Sequence, residues 1–107
     1  MPQITVKGAK PEELKKISTT VIEDLAKIIG CPEDWLILEL NHSQFFGKGT
    51  ELSVPPVIAE VSWWKRPDEV KDQVARYLGE ALTGLGYPLV QVIFTTLTED
   101  GFYEFEG

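Results

Sequence analysis

The chain has 107 residues, 43% of them hydrophobic and 25% charged, the composition of one globular domain with a single core. Ten Lys and Arg against 17 Asp and Glu give a net charge of −7, a field that repels nucleic-acid phosphates and anionic membrane surfaces. Cys31 is the only cysteine and His42 the only histidine, which excludes an intrachain disulfide and a multi-cysteine or multi-histidine metal site and fits a reducing cytoplasm. No apolar run approaches the ~18 residues of a membrane span, and the start of the chain lacks the basic and apolar regions of a signal peptide.

In chain order, Ile4 and Val6 alternate with Gln3, Thr5 and Lys7, the period of a strand with one buried face. Pro11 then opens a helix, where its missing N–H costs nothing, and Glu12 and Glu13 complement the helix dipole. Leu14, Ile17, Val21, Leu25 and Ile28 recur at spacings of three and four, and Gly30 and Pro32 end the helix. Trp35 to Leu40 and Val57 to Trp64 are strands by their β-branched and aromatic content. Pro67 opens a second helix with the stripe Val70, Val74, Leu78, Ala81 and Leu85, closed by Gly84 and Gly86, and Leu89 to Thr96 forms a last strand. In the tail, Glu99-Asp100-Gly101 signals a turn, and alternation at Tyr103 and Phe105 predicts a short strand that pairs with another subunit.

The two halves repeat. An offset of 56 residues lays Pro11-Glu12-Glu13-Leu14-Lys15 on Pro67-Asp68-Glu69-Val70-Lys71 and Gly30-Cys31-Pro32 on Gly86-Tyr87-Pro88. The chain therefore divides into pseudo-repeats of about 1–54 and 55–107 inside a single domain spanning 1–107. The order β-α-β-β-α-β fits either a ferredoxin-like sandwich, as in a monomeric regulatory domain, or two fused βαβ units with a four-stranded mixed sheet. Apolar residues on both faces of Leu89 to Phe94, Trp35 to Leu38 and Val57 to Ala59 favour the second, with both helices on one face and further copies of the chain against the other.

Pro2 after the initiator Met, Lys10 before the first helix, Pro32 after a glycine, and Phe46-Gly47-Lys48-Gly49 together resemble the tautomerase superfamily, which includes 4-oxalocrotonate tautomerase and macrophage migration inhibitory factor (MIF). Ser43-Gln44-Phe45-Phe46, Trp63-Trp64-Lys65-Arg66 and Glu69-Val70 look like a small branch of it whose reaction is not assigned. The resemblance implies an α+β tautomerase/MIF-like fold, a homo-oligomer, specifically a trimer, and a cofactor-free, metal-free keto–enol tautomerase or isomerase of a small carboxylated enol. In that reading Met1 is removed and the Pro2 nitrogen is the general base, with Lys10 and Arg66 as anion contacts and Phe46 and Trp64 lining the pocket, Trp63 and Phe94 beside them. Where the family carries basic residues, Ile37 and Cys31 stand here, so a substrate clamp is built differently.

Each of these residues also has a plainer reading. Pro2 is a tolerable start for an edge strand, Lys10 and Arg66 are ordinary bases at helix entrances, and the aromatics are core or interface residues. Glu39 and Glu60 interrupt apolar strands and call for partners, with Lys65, Arg66 or a neighbouring subunit's cation as candidates. His42 is a candidate general acid at the pocket rim, and Cys31 a small apolar residue. The rival function is a non-catalytic oligomer on the same scaffold that binds a small acid or a protein.

Overall fold

A computed structural model describes residues 2–107. It contains strands β1 (Gln3–Lys7), β2 (Ile37–Asn41), β3 (Val57–Trp64) and β4 (Val90–Leu97) and helices α1 (Pro11–Ile29) and α2 (Asp68–Thr83). The sheet order is β2-β1-β3-β4. β1 runs parallel to β2, β3 runs parallel to β4, and β1 and β3 meet antiparallel in the middle. Each parallel pair needs a crossover, and the two helices supply them. An all-antiparallel ferredoxin-like sheet is thereby excluded.

Alternation along the strands fixes the core. Ile4 and Val6 on β1 and Val57, Ala59, Val61 and Trp63 on β3 point to the helix side and are buried. They meet Leu14, Val21 and Leu25 of α1 and Val74, Leu78 and Leu82 of α2. At roughly 1.5–3 kcal/mol for each large side chain sealed from water, this layer dominates the stability of the fold. Gly8 makes the exit from β1 possible: its φ of +87° suits glycine, and a Cβ there would collide with the Pro56 carbonyl at the entrance to β3.

The repeat is offset differently from the sequence match. Through the first strand and helix of each unit the equivalence is one residue longer than 56. β1 ends at Lys7 and β3 at Trp64, α1 begins at Pro11 and α2 at Asp68, and the inward stripes Ile17, Val21, Leu25 and Val74, Leu78, Leu82 correspond. The second strands return to 56, Leu36 and Leu38 matching Val92 and Phe94. Lys10 is the N-cap of α1, but the N-cap of α2 is Pro67, so Lys10 and Arg66 are not equivalent. The counterpart of Pro2 is Ala59, inside β3. Each chain thus has one proline of this kind.

The open face differs from expectation. Composition suggested apolar residues front and back; in the structure Ile37, Ile58, Trp64, Ile93 and Leu97 share that face with Gln3, Thr5, Lys7, Glu39, Glu60, Ser62, Gln91 and Thr95. Apolar side chains do occupy both parities of β3 and β4, yet polar ones outnumber them on the open face. Ile37 and Ile93 still leave 54% and 47% of their surface in solvent. Glu60 pairs with Lys7 at 3.0 Å rather than with Lys65 or Arg66, and Thr5 Oγ1 donates to Glu39 at 3.5 Å. The tail has a 3-10 turn at Glu99–Gly101 and no strand at Tyr103 and Phe105. Trp35, assigned to a strand by composition, lies in a 3-10 turn at Glu33–Trp35.

The helices are tied together by Tyr77 of α2, whose hydroxyl donates to Asp24 of α1 at 2.6 Å. Burial first, then that hydrogen bond and the Asp24 charge, hold the Tyr77 ionisation well above the usual tyrosine range. Because the folded value is raised, the stability from this bond is complete below about pH 10, where unfolded tyrosine ionises, and is lost as the pH rises beyond it. Tyr77→Phe should therefore cost roughly 1–2 kcal/mol at neutral pH in urea unfolding, and the gap from wild type should narrow above about pH 10.

Candidate functional site

The antiparallel centre of the sheet decides which loops meet. β1 begins where β3 and β4 end, so one end of the sheet gathers Pro2, the last turn of α1 with Gly30 and Cys31, the Glu33–Trp35 turn, Trp63 to Arg66, the first turn of α2, and the tail. The other end gathers Gly8 to Lys10, the loop from His42 to Pro56, and Tyr87. Strand β1 separates the two by about 17 Å.

Pro2 is buried, with less than 2% of its surface accessible. Gln3 pairs with Ile37 and with Ser62, so one step back in register Pro2 stands between Leu36 and Trp63, which are 5% and 1% exposed. Arg66 folds over this wall. Its guanidinium carbon lies 5.9 Å from the centre of a Trp63 ring, and Nη1–H donates to the Trp64 carbonyl at 3.2 Å. Among the described residues Arg66 has no carboxylate partner. A half-buried guanidinium with part of its donor fork free is suited to a carboxylate or a developing enolate.

The two units differ in how their ends are closed. At the Lys10 end, the Lys10 backbone N–H donates to the Tyr87 hydroxyl at 2.8 Å. The corresponding positions at the Pro2 end are Pro67, which has no N–H, and Cys31, which has no hydroxyl. That bond cannot form there. Cys31 is half-buried, and its thiol ionises above the usual range because burial outweighs the opposing field of Arg66.

Of the residues predicted from sequence, the structure thus brings Pro2, Arg66, Trp63 and Trp64 to one end, although Trp64 points to the open face and Trp63 to the helix side. Phe94 packs on Trp63 at 5.1 Å. Lys10 and Phe46 lie at the opposite end, Phe46 in a hairpin closed by the Phe46–Glu51 bridge and by Gly47 N–H donating to the Thr50 carbonyl at 2.8 Å. His42 is at that end too, beside Gly8, Ala9 and Pro55 in a cleft of about 410 Å³, and does not share a rim with Pro2. Sequence reasoning missed Leu36 as a wall of the proline and Phe102 against Trp64. The alternation of β2 carried a signal for the first; nothing local carried one for the second. No cluster of three or more His, Cys, Asp or Glu suited to a metal occurs among the described residues, and none of their helices is long and apolar enough to cross a membrane.

This architecture is the tautomerase-superfamily fold, and the similarities to known structures extend over nearly the whole chain. The F6 fused 4-OT wild-type asymmetric trimer matches with a TM-score of 0.80 at 16% identity, covering 95% of this chain and 91% of that one. The protein Pt0534, in a form inactivated by 2-oxo-3-pentynoate, matches with a TM-score of 0.71 at 18% identity, covering 90% and 84%. The chain belongs to the family described as Domain of unknown function (DUF1904), matched over residues 1–107. A DUF1904 structure from Sebaldella termitidis is 32% identical with a TM-score of 0.90, covering 97% of this chain and 95% of that one. No curated protein matches this chain.

Because the Arg66 field opposes burial at Cys31, Arg66→Gln should push the Cys31 titration further up, as followed by thiolate absorbance. An unchanged or lowered midpoint would show that Arg66 does not act on this pocket.

Proposed function

We propose that the chain, once freed of Met1, is a cofactor-free keto–enol tautomerase of a small carboxylated enol, with the Pro2 nitrogen as general base. The observation that carries this reading is the burial of Pro2 between Leu36 and Trp63 with the unpaired Arg66 guanidinium at the same end. Burial disfavours a charged amine and a nearby cation adds repulsion, so both favour the neutral, proton-accepting form at working pH. While Met1 remains bonded, the same nitrogen is an amide and no base. The inactivation of Pt0534 by an acetylenic 2-oxo acid supports the choice of substrate class.

The reaction needs one proton shuttle. The neutral amine removes a proton from the carbon next to the carbonyl, the electron pair moves to the oxygen, and Arg66 balances the developing negative charge. The protonated amine then returns the proton to that oxygen, giving the enol, and the reverse order gives the ketone. Atoms and charge balance without metal or cofactor.

Lys10 and Phe46 can join a Pro2 site only from a neighbouring subunit, since their own chain holds them about 17 Å away. The proposal therefore includes a homotrimer, as in the fused 4-OT structure, whose interfaces cover Ile37 and Ile93 and set Lys10 and Phe46 of one copy against Pro2 of the next. A cytoplasmic location accords with the unpaired Cys31.

Light scattering should give about 36 kDa, three times 12.0 kDa; a particle of 12.0 kDa at high concentration would remove the shared site. With intact mass confirming loss of Met1, Pro2→Ala should lower kcat/KM on simple enol carboxylates by about 100-fold or more. Arg66→Gln should raise KM about tenfold by removing a carboxylate contact. Wild-type rates in Pro2→Ala would instead favour the non-catalytic binder.

A further inference from the structure

On the open side of the sheet, at the end that holds Pro2, a cleft of about 420 Å³ is lined by Trp35, Trp64, Phe102, Glu104 and Glu106. Phe102 meets Trp64 edge to face, centroids 5.5 Å apart and planes at 76°. The chain leaves the Glu99–Gly101 turn extended at Phe102, and in extended backbone alternate side chains share a side, so Glu104 and Glu106 follow Phe102 along the cleft. Among the described residues neither carboxylate forms an ion pair. The single chain leaves an aromatic corner with an acidic rim uncovered.

The opposite end carries the complement. There the hairpin closed by the Phe46–Glu51 bridge leaves 66% of the Phe46 surface in solvent. Gly49, with φ +75°, turns its tip, and a Cβ placed on Gly49 would meet nothing within 4 Å, so the tip projects clear of its own chain. Lys48 stands at that tip between two glycines, and among the described residues it has no carboxylate partner. A large apolar ring and an unpaired cation are thus offered two residues apart.

This hairpin cannot fill the cleft of its own chain, because β1 sets the two ends about 17 Å apart. A second copy can bring it. We infer that the cleft receives the Phe46–Gly49 hairpin of the next copy, with Phe46 against the Trp64–Phe102 corner and the Lys48 ammonium paired with Glu104 and Glu106. Chains that each carry a net charge of −7 repel one another, so opposite charges at the contact select which surfaces meet. Because one end docks on the opposite end of the next copy, the contact is heterologous and leaves no cleft empty once the ring closes. The inference rests on the homotrimer proposed above and names the segments that hold it together, giving the tail after β4 a role in assembly.

The test is light scattering of the full chain over a dilution series, with charges reversed at positions exposed in the single chain. Lys48→Glu, and separately the pair Glu104→Lys with Glu106→Lys, should each raise the concentration at which the trimer falls to 12.0 kDa by about tenfold or more. Combining all three reversals restores opposite charges across the contact and should return that concentration to within about threefold of wild type. Phe46→Ala should also weaken the trimer, and added salt should not relieve the loss. Dissociation unchanged by either reversal, or a combined variant that stays dissociated, would overturn this docking while leaving the Pro2 chemistry to stand on the Pro2→Ala assay. Wild-type rates in Pro2→Ala would remove that chemistry and leave the docking intact, whereas a wild type of 12.0 kDa at every concentration would overturn the docking together with the shared site.

Discussion

Everything in this fold hangs on the antiparallel pairing of β1 with β3. Each βαβ unit alone would leave both of its strand edges unpaired and one helix over half a sheet, and a two-stranded unit of this size buries too little to stand by itself. Joining the units through Gln3–Ser62 to Lys7–Ile58 brings Ile4 and Val6 beside Ala59 and Val61 and lets both helices share one core. The same pairing sends the two units in opposite directions. Their ends therefore alternate around the sheet, and chemistry placed at the start of one unit meets the finish of the other.

That geometry explains why duplication did not yield two copies of the same site. Where β1 begins with a proline, β3 continues back through Ala59 to Val57, so the second unit has no position for a terminal amine. Tyr87 closes one end by accepting the Lys10 N–H, while Cys31 and Pro67 leave the other without that bond. Arg66, one position away from equivalence with Lys10, lies over Trp63 instead of capping a helix. Small departures from the repeat thus concentrate at the end that holds Pro2.

The helices and β3 were legible in the sequence because their patterns are long and periodic, with Pro11 and Pro67 marking the entrances. The two-unit order and the placement of both helices followed from the repeat. Three things were not legible. A register is a relation between distant strands, so Glu60 could not be matched to Lys7 from local pattern. Composition cannot separate the two faces of Leu89 to Phe94 without knowing parity, so it makes the open face look more apolar than it is. The packing of Phe102 on Trp64 joins residues far apart in the chain, and no local pattern signals it. Of the candidate site residues, Pro2, Arg66 and Trp64 share one end of the sheet and Lys10 and Phe46 lie at the other, a division that a list of motifs hides because strand direction is invisible in it.

The central chemical claim is that an apolar wall and a lone guanidinium keep the amine of Pro2 uncharged under working conditions. Nitrogen NMR of the Met1-free protein, labelled at proline and titrated with pH, measures this directly. The account predicts a Pro2 midpoint below the ordinary α-amino range of about 7.7–8.0, moving higher when Arg66 is neutralised. A midpoint at or above that range, indifferent to Arg66→Gln, would contradict it.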